Sequence, residues 1–147
     1  MKSQLLQADD QRTFALIFDI DEEVMQGLRG FAAQQALRAS SFTAIGALRA
    51  VTLGYFDWQK KDYDRIRIEE QVEVLSLVGN IARKGDKPKI HAHVVLGKRN
   101  GTAHGGHLLE AYVRPTLEIV VVESPAHLAR EIDEETGLAL IVPQKSK

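Results

Sequence analysis

The chain has 147 residues, 44% of them hydrophobic and 27% charged, and its 19 Lys and Arg against 20 Asp and Glu leave a net charge of −1. These figures fit one globular domain that buries about two-thirds of its unfolded surface, and they exclude disordered and fibrous classes. With no cysteine, disulfides, thiolate metal sites and a cysteine nucleophile are excluded, and the even charge balance argues against a free-standing nucleic-acid binder, which carries a basic excess.

The first twelve residues, MKSQLLQADDQR, are polar and lack the apolar core of a signal peptide. No apolar run approaches the ~20 residues of a membrane span, so a cytoplasmic protein with no membrane partner is expected. Residues 1–11 read as a frayed end or an edge segment. Residues 12–19 read as a strand with Phe14, Leu16 and Phe18 on one face and Ala15 and Ile17 on the other, covered on both sides. Asp21, Glu22 and Glu23 mark a helix start, and Val24, Met25, Leu28, Phe31, Ala32 and Ala36 continue at helical spacing to about Ala39. Residues 42–57 read as β, with Gly46 and Gly54 suggesting a bulge or a close backbone approach.

Residues 63–69 alternate charged side chains with Ile66 and Ile68, and residues 72–82 and 90–96 form the next strands. Asn100-Gly101 makes a hairpin turn. Residues 108–113 and 117–122 follow as two strands separated by Pro115. Ser124-Pro125 opens a second, shorter helix ending near residues 134–137, and residues 138–142 form a last strand. Strands joined by hairpins, with one long and one short helix, predict an α+β fold with a mostly antiparallel sheet. One domain spans residues 1–147, with its core at about 12–142.

Four of the five histidines fall between residues 91 and 107. His91 and His93, two apart on a strand, share one face. The turn at Asn100-Gly101 folds His107 back beside them, and Gly105-Gly106 lets the backbone approach closely where a β-carbon would obstruct. Three neutral imidazoles suit zinc and leave a fourth position open for water or an outside group. The spacing after Gly85 also suggests a cupin metal motif, but residues 94–98 lack the carboxylate that motif requires next. His104 reads as a solvated turn residue and His127 as a structural or exposed position on the short helix. Glu73 and Glu110 are the candidate catalytic carboxylates, as a base or as orienters of a histidine, or else are rim charges. Ser76 lacks a nucleophile elbow. Arg83, Lys84, Lys87, Lys89, Lys98 and Arg99 make a modest basic cluster on two turns.

Residues 70–80 (EQVEVLSLVGN), 89–94 (KIHAHV), 105–110 (GGHLLE) and 115–118 (PTLE), in that order, resemble the PPC domain, the plants and prokaryotes conserved domain. The similarity runs from about Phe14 to Leu140 and is to the stand-alone prokaryotic type. The resemblance implies an α+β domain with an antiparallel sheet, a homotrimer, and a zinc-type site at His91, His93 and His107. Plant relatives carry this domain behind an AT-hook, whose Arg-Gly-Arg-Pro core does not occur here. In that branch the segment equivalent to residues 72–75 is associated with partner binding, but the plant pattern has Arg-Phe before its Glu and this chain does not. Three functions follow: a metal-binding trimer associated with DNA or regulation, an enzyme using a zinc-bound water on a small ligand, or a structural and interaction module. For the isolated chain, DNA binding is expected to be weak and non-specific.

Overall fold

Phe14, Leu16 and Phe18 turn inward from strand β2 (Arg12–Phe18), which pairs antiparallel with the edge strand β1 (Lys2–Ala8). The computed structural model describes residues 1–8, 11–125 and 128–142. Helix α1 (Val24–Gln34) follows β2 and buries Val24, Met25, Leu28, Phe31 and Ala32 along one stripe. Glu23 is its N-cap, accepting hydrogen bonds from the backbone N–H groups of Met25 (3.0 Å) and Gln26 (2.5 Å), and a third from Ala111 N–H on the sheet (3.1 Å). One carboxylate thus satisfies the helix start and ties it to its neighbour. The helix stops before the expected Ala39, because Ala36 takes a left-handed conformation (φ 52°) and the chain enters the next strand at Ala39.

Two long strands organise the rest. β3 (Ala39–Asp57) pairs antiparallel with β4 (Asp62–Ile68), with β5 (Val72–Lys84) and with β7 (Ala103–Glu123). Strand β6 (Lys87–Gly97) pairs with both β5 and the start of β7, so β3, β5, β6 and β7 close a ring. Its interior holds residues such as Leu48, Leu53, Leu77, Leu96, Leu108 and Ile119, all 2% exposed or less, while α1 contacts β6 and β7. The protein is therefore mostly β, with one antiparallel-dominated sheet. No helix among the described residues is long and apolar enough to cross a membrane.

Two expectations are corrected. The pair of strands around Pro115 is one continuous strand, β7. Its register against β3 skips from Val113 opposite Leu48 to Leu117 opposite Gly46, so residues 114–116 are absorbed as a local irregularity and pairing resumes. The short second helix is absent among the described residues. Strand β8 (Ala129–Ile132) occupies that stretch, paired in parallel with β5 through Ala129 and Arg83 and antiparallel with β9 (Ala139–Val142). Edge pairing and burial of Arg130 override the Ser-Pro helix-start signal. The Asp133 carboxylate accepts from Thr136 N–H (2.8 Å), and Gly137 adopts φ 74°, closing the β8–β9 turn. His127 lies outside the described residues.

Gly46 sits at a register shift with φ 146°, and a β-carbon there would lie 2.3 Å from the Thr116 carbonyl oxygen. Gly46→Ala is therefore expected to cost roughly 2–4 kcal/mol, strain and overpacking together. Gly30, on α1 with nothing within 4 Å of its added β-carbon, is the control: Gly30→Ala should be neutral or stabilising by up to about 1 kcal/mol. Urea midpoints of the two variants check the contrast, and equal midpoints would refute it.

Candidate metal centre

Strand alternation sends Ala92 and Val94 into the core, leaving His91 half-buried and His93 exposed on the outer face of β6. The hairpin after β6 turns at Gly101 (φ 81°), with Asn100 Oδ1 accepting from Thr102 N–H (3.0 Å). This turn sets His107 directly opposite His93 in the β6–β7 register. The diglycine before His107 is tightly enclosed: a β-carbon on Gly105 would be 2.9 Å from the Val94 carbonyl oxygen, and one on Gly106 3.1 Å from that of Gly54. Small residues there let β6, β7 and β3 approach closely enough for the imidazoles to meet.

The meeting is close. His91 Nε2 and His93 Nε2 are 3.0 Å apart. Ring centroids lie 5.0 Å apart for His91 and His93, 5.1 Å for His91 and His107, and 5.3 Å for His93 and His107. One ring nitrogen from each of the three falls within 4.8 Å of the others. Tyr63 on β4 stacks on His107 at 4.6 Å with a 26° interplanar angle. Gly54 makes room for this stack, since a β-carbon there would strike the Tyr63 ring at 2.7 Å.

Burial favours the neutral forms of His107 and His91. Burial, followed by the positive potential of His91, His93 and Lys89, pushes the pKa of His107 down to about 4. His91 is lowered for the same leading reason, with His93, Arg130 and Lys89 adding repulsion. Neutral imidazole is the form that ligates metal. His107 Nδ1 is buried with no hydrogen-bond partner, and an unsatisfied buried polar atom costs about 1–3 kcal/mol. Three clustered imidazoles, one of them incompletely satisfied, have the donor set of a three-histidine divalent-metal site.

The other candidates lie elsewhere. Glu73 is exposed and lines a groove with Gln71, Gly97, Lys98 and Arg99. Glu110 accepts a hydrogen bond from the Tyr112 hydroxyl (2.8 Å) and faces the cleft beside α1. Neither joins the histidine group. His104 is exposed at the start of β7, opposite Leu96. The basic cluster separates into two. Arg83, Lys84, Lys87 and Lys89 sit around the β5–β6 turn, whereas Lys98 and Arg99 lie beyond the other end of β6, whose 11 residues span roughly 33 Å. Arg83 is paired with Asp86 (2.6 Å) and Lys98 with Glu70 (2.5 Å).

Three neighbours of the histidines escape sequence reading: Tyr63, Lys89 and Arg130. Tyr63 is hidden in a charged, alternating strand whose partner register is not legible. Lys89 reads as one more turn cation. Arg130 falls in the segment whose local signals point to a helix.

The model of the Plants and Prokaryotes Conserved (PCC) domain matches residues 6–125. No curated protein matches the chain. Among solved structures, a metal-containing protein from Archaeoglobus fulgidus is 37% identical, with a TM-score of 0.82 over 89% of this chain and 93% of its own. A plant- and prokaryote-conserved protein from Pyrococcus horikoshii is 30% identical, with a TM-score of 0.84 and coverage of 99% and 97%. A protein from Ralstonia eutropha JMP134, provisionally described as DNA-binding, is 28% identical, with a TM-score of 0.85 and coverage of 95% and 96%.

Proposed function

The chain belongs to the Plants and Prokaryotes Conserved domain family, and on that premise we propose that it is a homotrimeric metal-binding protein in which His91, His93 and His107 of one chain hold a divalent ion, zinc by donor chemistry, facing a small ligand. The convergence of three ring nitrogens within 4.8 Å carries this reading. Zinc–imidazole bonds of about 2.0–2.1 Å in tetrahedral geometry put ligand nitrogens roughly 3.3 Å apart, so modest ring rotations suffice. The metal-containing A. fulgidus relative supports it. When bound, the ion would supply Lewis-acid chemistry at its open position. The chain's own part is to favour the neutral forms of His91 and His107, by burial first and then by the nearby positive charge, and to orient His107 through the Tyr63 stack.

The position of the core supports a functional rather than a structural role for the ion. The interior is closed by aliphatic and aromatic side chains, and the histidines lie on the outside of the ring of strands. Elemental analysis of protein purified without chelator should give about one zinc per chain, with unchanged far-ultraviolet circular dichroism after its removal. Protein that takes up no divalent ion from a zinc-containing buffer would overturn the metal reading. Unfolding on chelation would overturn the functional role.

DNA association is the second reading, favoured by the provisional description of the Ralstonia eutropha and Bacteroides thetaiotaomicron relatives as DNA-binding. Charge limits it. A trimer of chains at −1 each is acidic overall, and its basic residues form two separated groups partly neutralised by Asp86 and Glu70. Duplex binding is expected to be non-specific, with Kd about 10⁻⁴–10⁻⁶ M at physiological salt, and to weaken further on replacing Lys84, Lys87 and Lys89 by Ala. A salt titration against unrelated duplexes checks this; submicromolar, sequence-selective binding would contradict it.

A further inference from the structure

We propose that the cavity beside the three histidines receives a small organic carboxylate with a short apolar body, its charge met by Arg130 and Lys89. The cavity measures about 220 Å³ and lies between the β6 face and the β8–β9 hairpin. Among the described residues three cations line it, Lys84, Lys89 and Arg130, and no Asp or Glu does. Ile90, Ile132, Leu138 and Leu140 supply an aliphatic wall, while His91 and His107 form the side nearest the proposed ion.

Arg130 is the decisive residue. It is only 7% exposed. Its Nη1 donates to the Ala139 carbonyl (2.6 Å) and its Nη2 to Asn80 Oδ1 (2.5 Å), whereas Nε is buried with no partner. No carboxylate pairs with it among the described residues. Buried charges are normally paired, because an uncompensated ion in a poorly solvated site is costly. The guanidinium here has only neutral acceptors, and the other charged side chains lining the cavity are cations. The counter-charge that the described residues do not supply is therefore expected from a bound ligand. Volume sets the size: the cavity is below the roughly 300–1,000 Å³ of drug-sized pockets, enough for a carboxylate and a few carbon atoms. The aliphatic wall favours an apolar body over a bare inorganic anion.

As the ligand of the metal centre, this carboxylate rests on the reading given above; its recognition by Arg130 and Lys89 does not require the ion. The test is calorimetric titration of butyrate into chelator-treated, metal-free protein, with n-butanol and inorganic phosphate as parallel probes. Saturable butyrate binding is expected, weakened at least about tenfold by Lys89→Ala, as for loss of a hydrogen bond to a charged group, and lost in Arg130→Gln. Lys89 is exposed, so its variant keeps the test decisive where Arg130→Gln fails to fold. No saturable butyrate binding, equal binding of n-butanol, tighter binding of phosphate, or a Lys89→Ala variant indistinguishable from the parent would each overturn the proposal. Zinc uptake is measured separately on protein purified without chelator, so a chain that binds butyrate but takes up no zinc overturns the metal reading alone.

Discussion

Zinc content is expected to fall from about one ion per chain to near zero in His91→Ala and in His107→Ala, and to stay at the parental level in His104→Ala. His104 is the apt control, since it is exposed and three residues from His107 on the same strand, yet outside the group whose ring nitrogens lie within 4.8 Å. Removing one of three protein ligands leaves two imidazoles, too few for the three-ligand site that divalent zinc takes in open centres. The pH dependence follows from the same geometry. Ligands must be unprotonated, so protons compete with the metal. An ordinary histidine loses that competition near pH 6.5, but burial pushes His107 down to about 4 and also lowers His91. At His91 and His107, proton competition with zinc should therefore set in at lower pH than at an ordinary histidine. For the metal-free chain the sign is the same: between about pH 6.5 and 4 the unfolded state binds a proton that folded His107 refuses, so stability drops as pH falls through that window. Metal titrations at pH 7 and pH 5.5, with elemental analysis of the variants, check both parts. Equal zinc in all three variants would sink the ligand assignment.

The histidine group was legible because strand periodicity and hairpin geometry are short-range facts. His91 and His93 share a face by alternation, and Asn100-Gly101 plus the diglycine return the chain to place His107 opposite His93. The surroundings were not, because they depend on long-range pairing that local composition does not encode. Tyr63 reaches His107 only because β4 folds back along β3, whose Gly54 lies in register with His107. Arg130 arrives from a segment whose Ser-Pro start favours a helix locally, yet which pairs with the β5 edge instead. The β7 error has a similar origin: Pro115 is a valid break signal, but the register shift against β3 absorbs it. Glu73 and Glu110 were selected for being carboxylates in β segments, with nothing to fix the direction in which the closed ring of strands would turn them.

A substitution on the outer face of the sheet should have as large an effect on assembly. The outer face of the sheet carries Val120, Thr43, Val78 and His93 in direct register across four strands. Nearby, Ile45 is 62% exposed and Leu75 56%, with Val95 exposed opposite Ser76. Alternation explains why Thr43 and Ile45 face out while Phe42 and Ala44 face the core, but not why an outward face should be so apolar. Contiguous exposed apolar surface of this kind marks an interaction site, and cyclic association of identical chains would cover it with no added sequence. Light scattering is expected to give a mass near three times the 16.3 kDa chain. In Ile45→Glu and Leu75→Glu each trimer would have to bury three carboxylates without partners, at a cost of several kcal/mol per site, so both variants should run as monomers at micromolar concentration. Tyr55→Glu, exposed on the β3–β4 arm and 69% accessible, should remain trimeric. The two sites are separable because all three metal ligands come from one chain: the monomeric variants should still take up about one zinc each. A monomeric parent, or trimeric Ile45→Glu, would rule out this face as the contact. Monomers that fail to take up zinc would show that the centre depends on a neighbouring subunit.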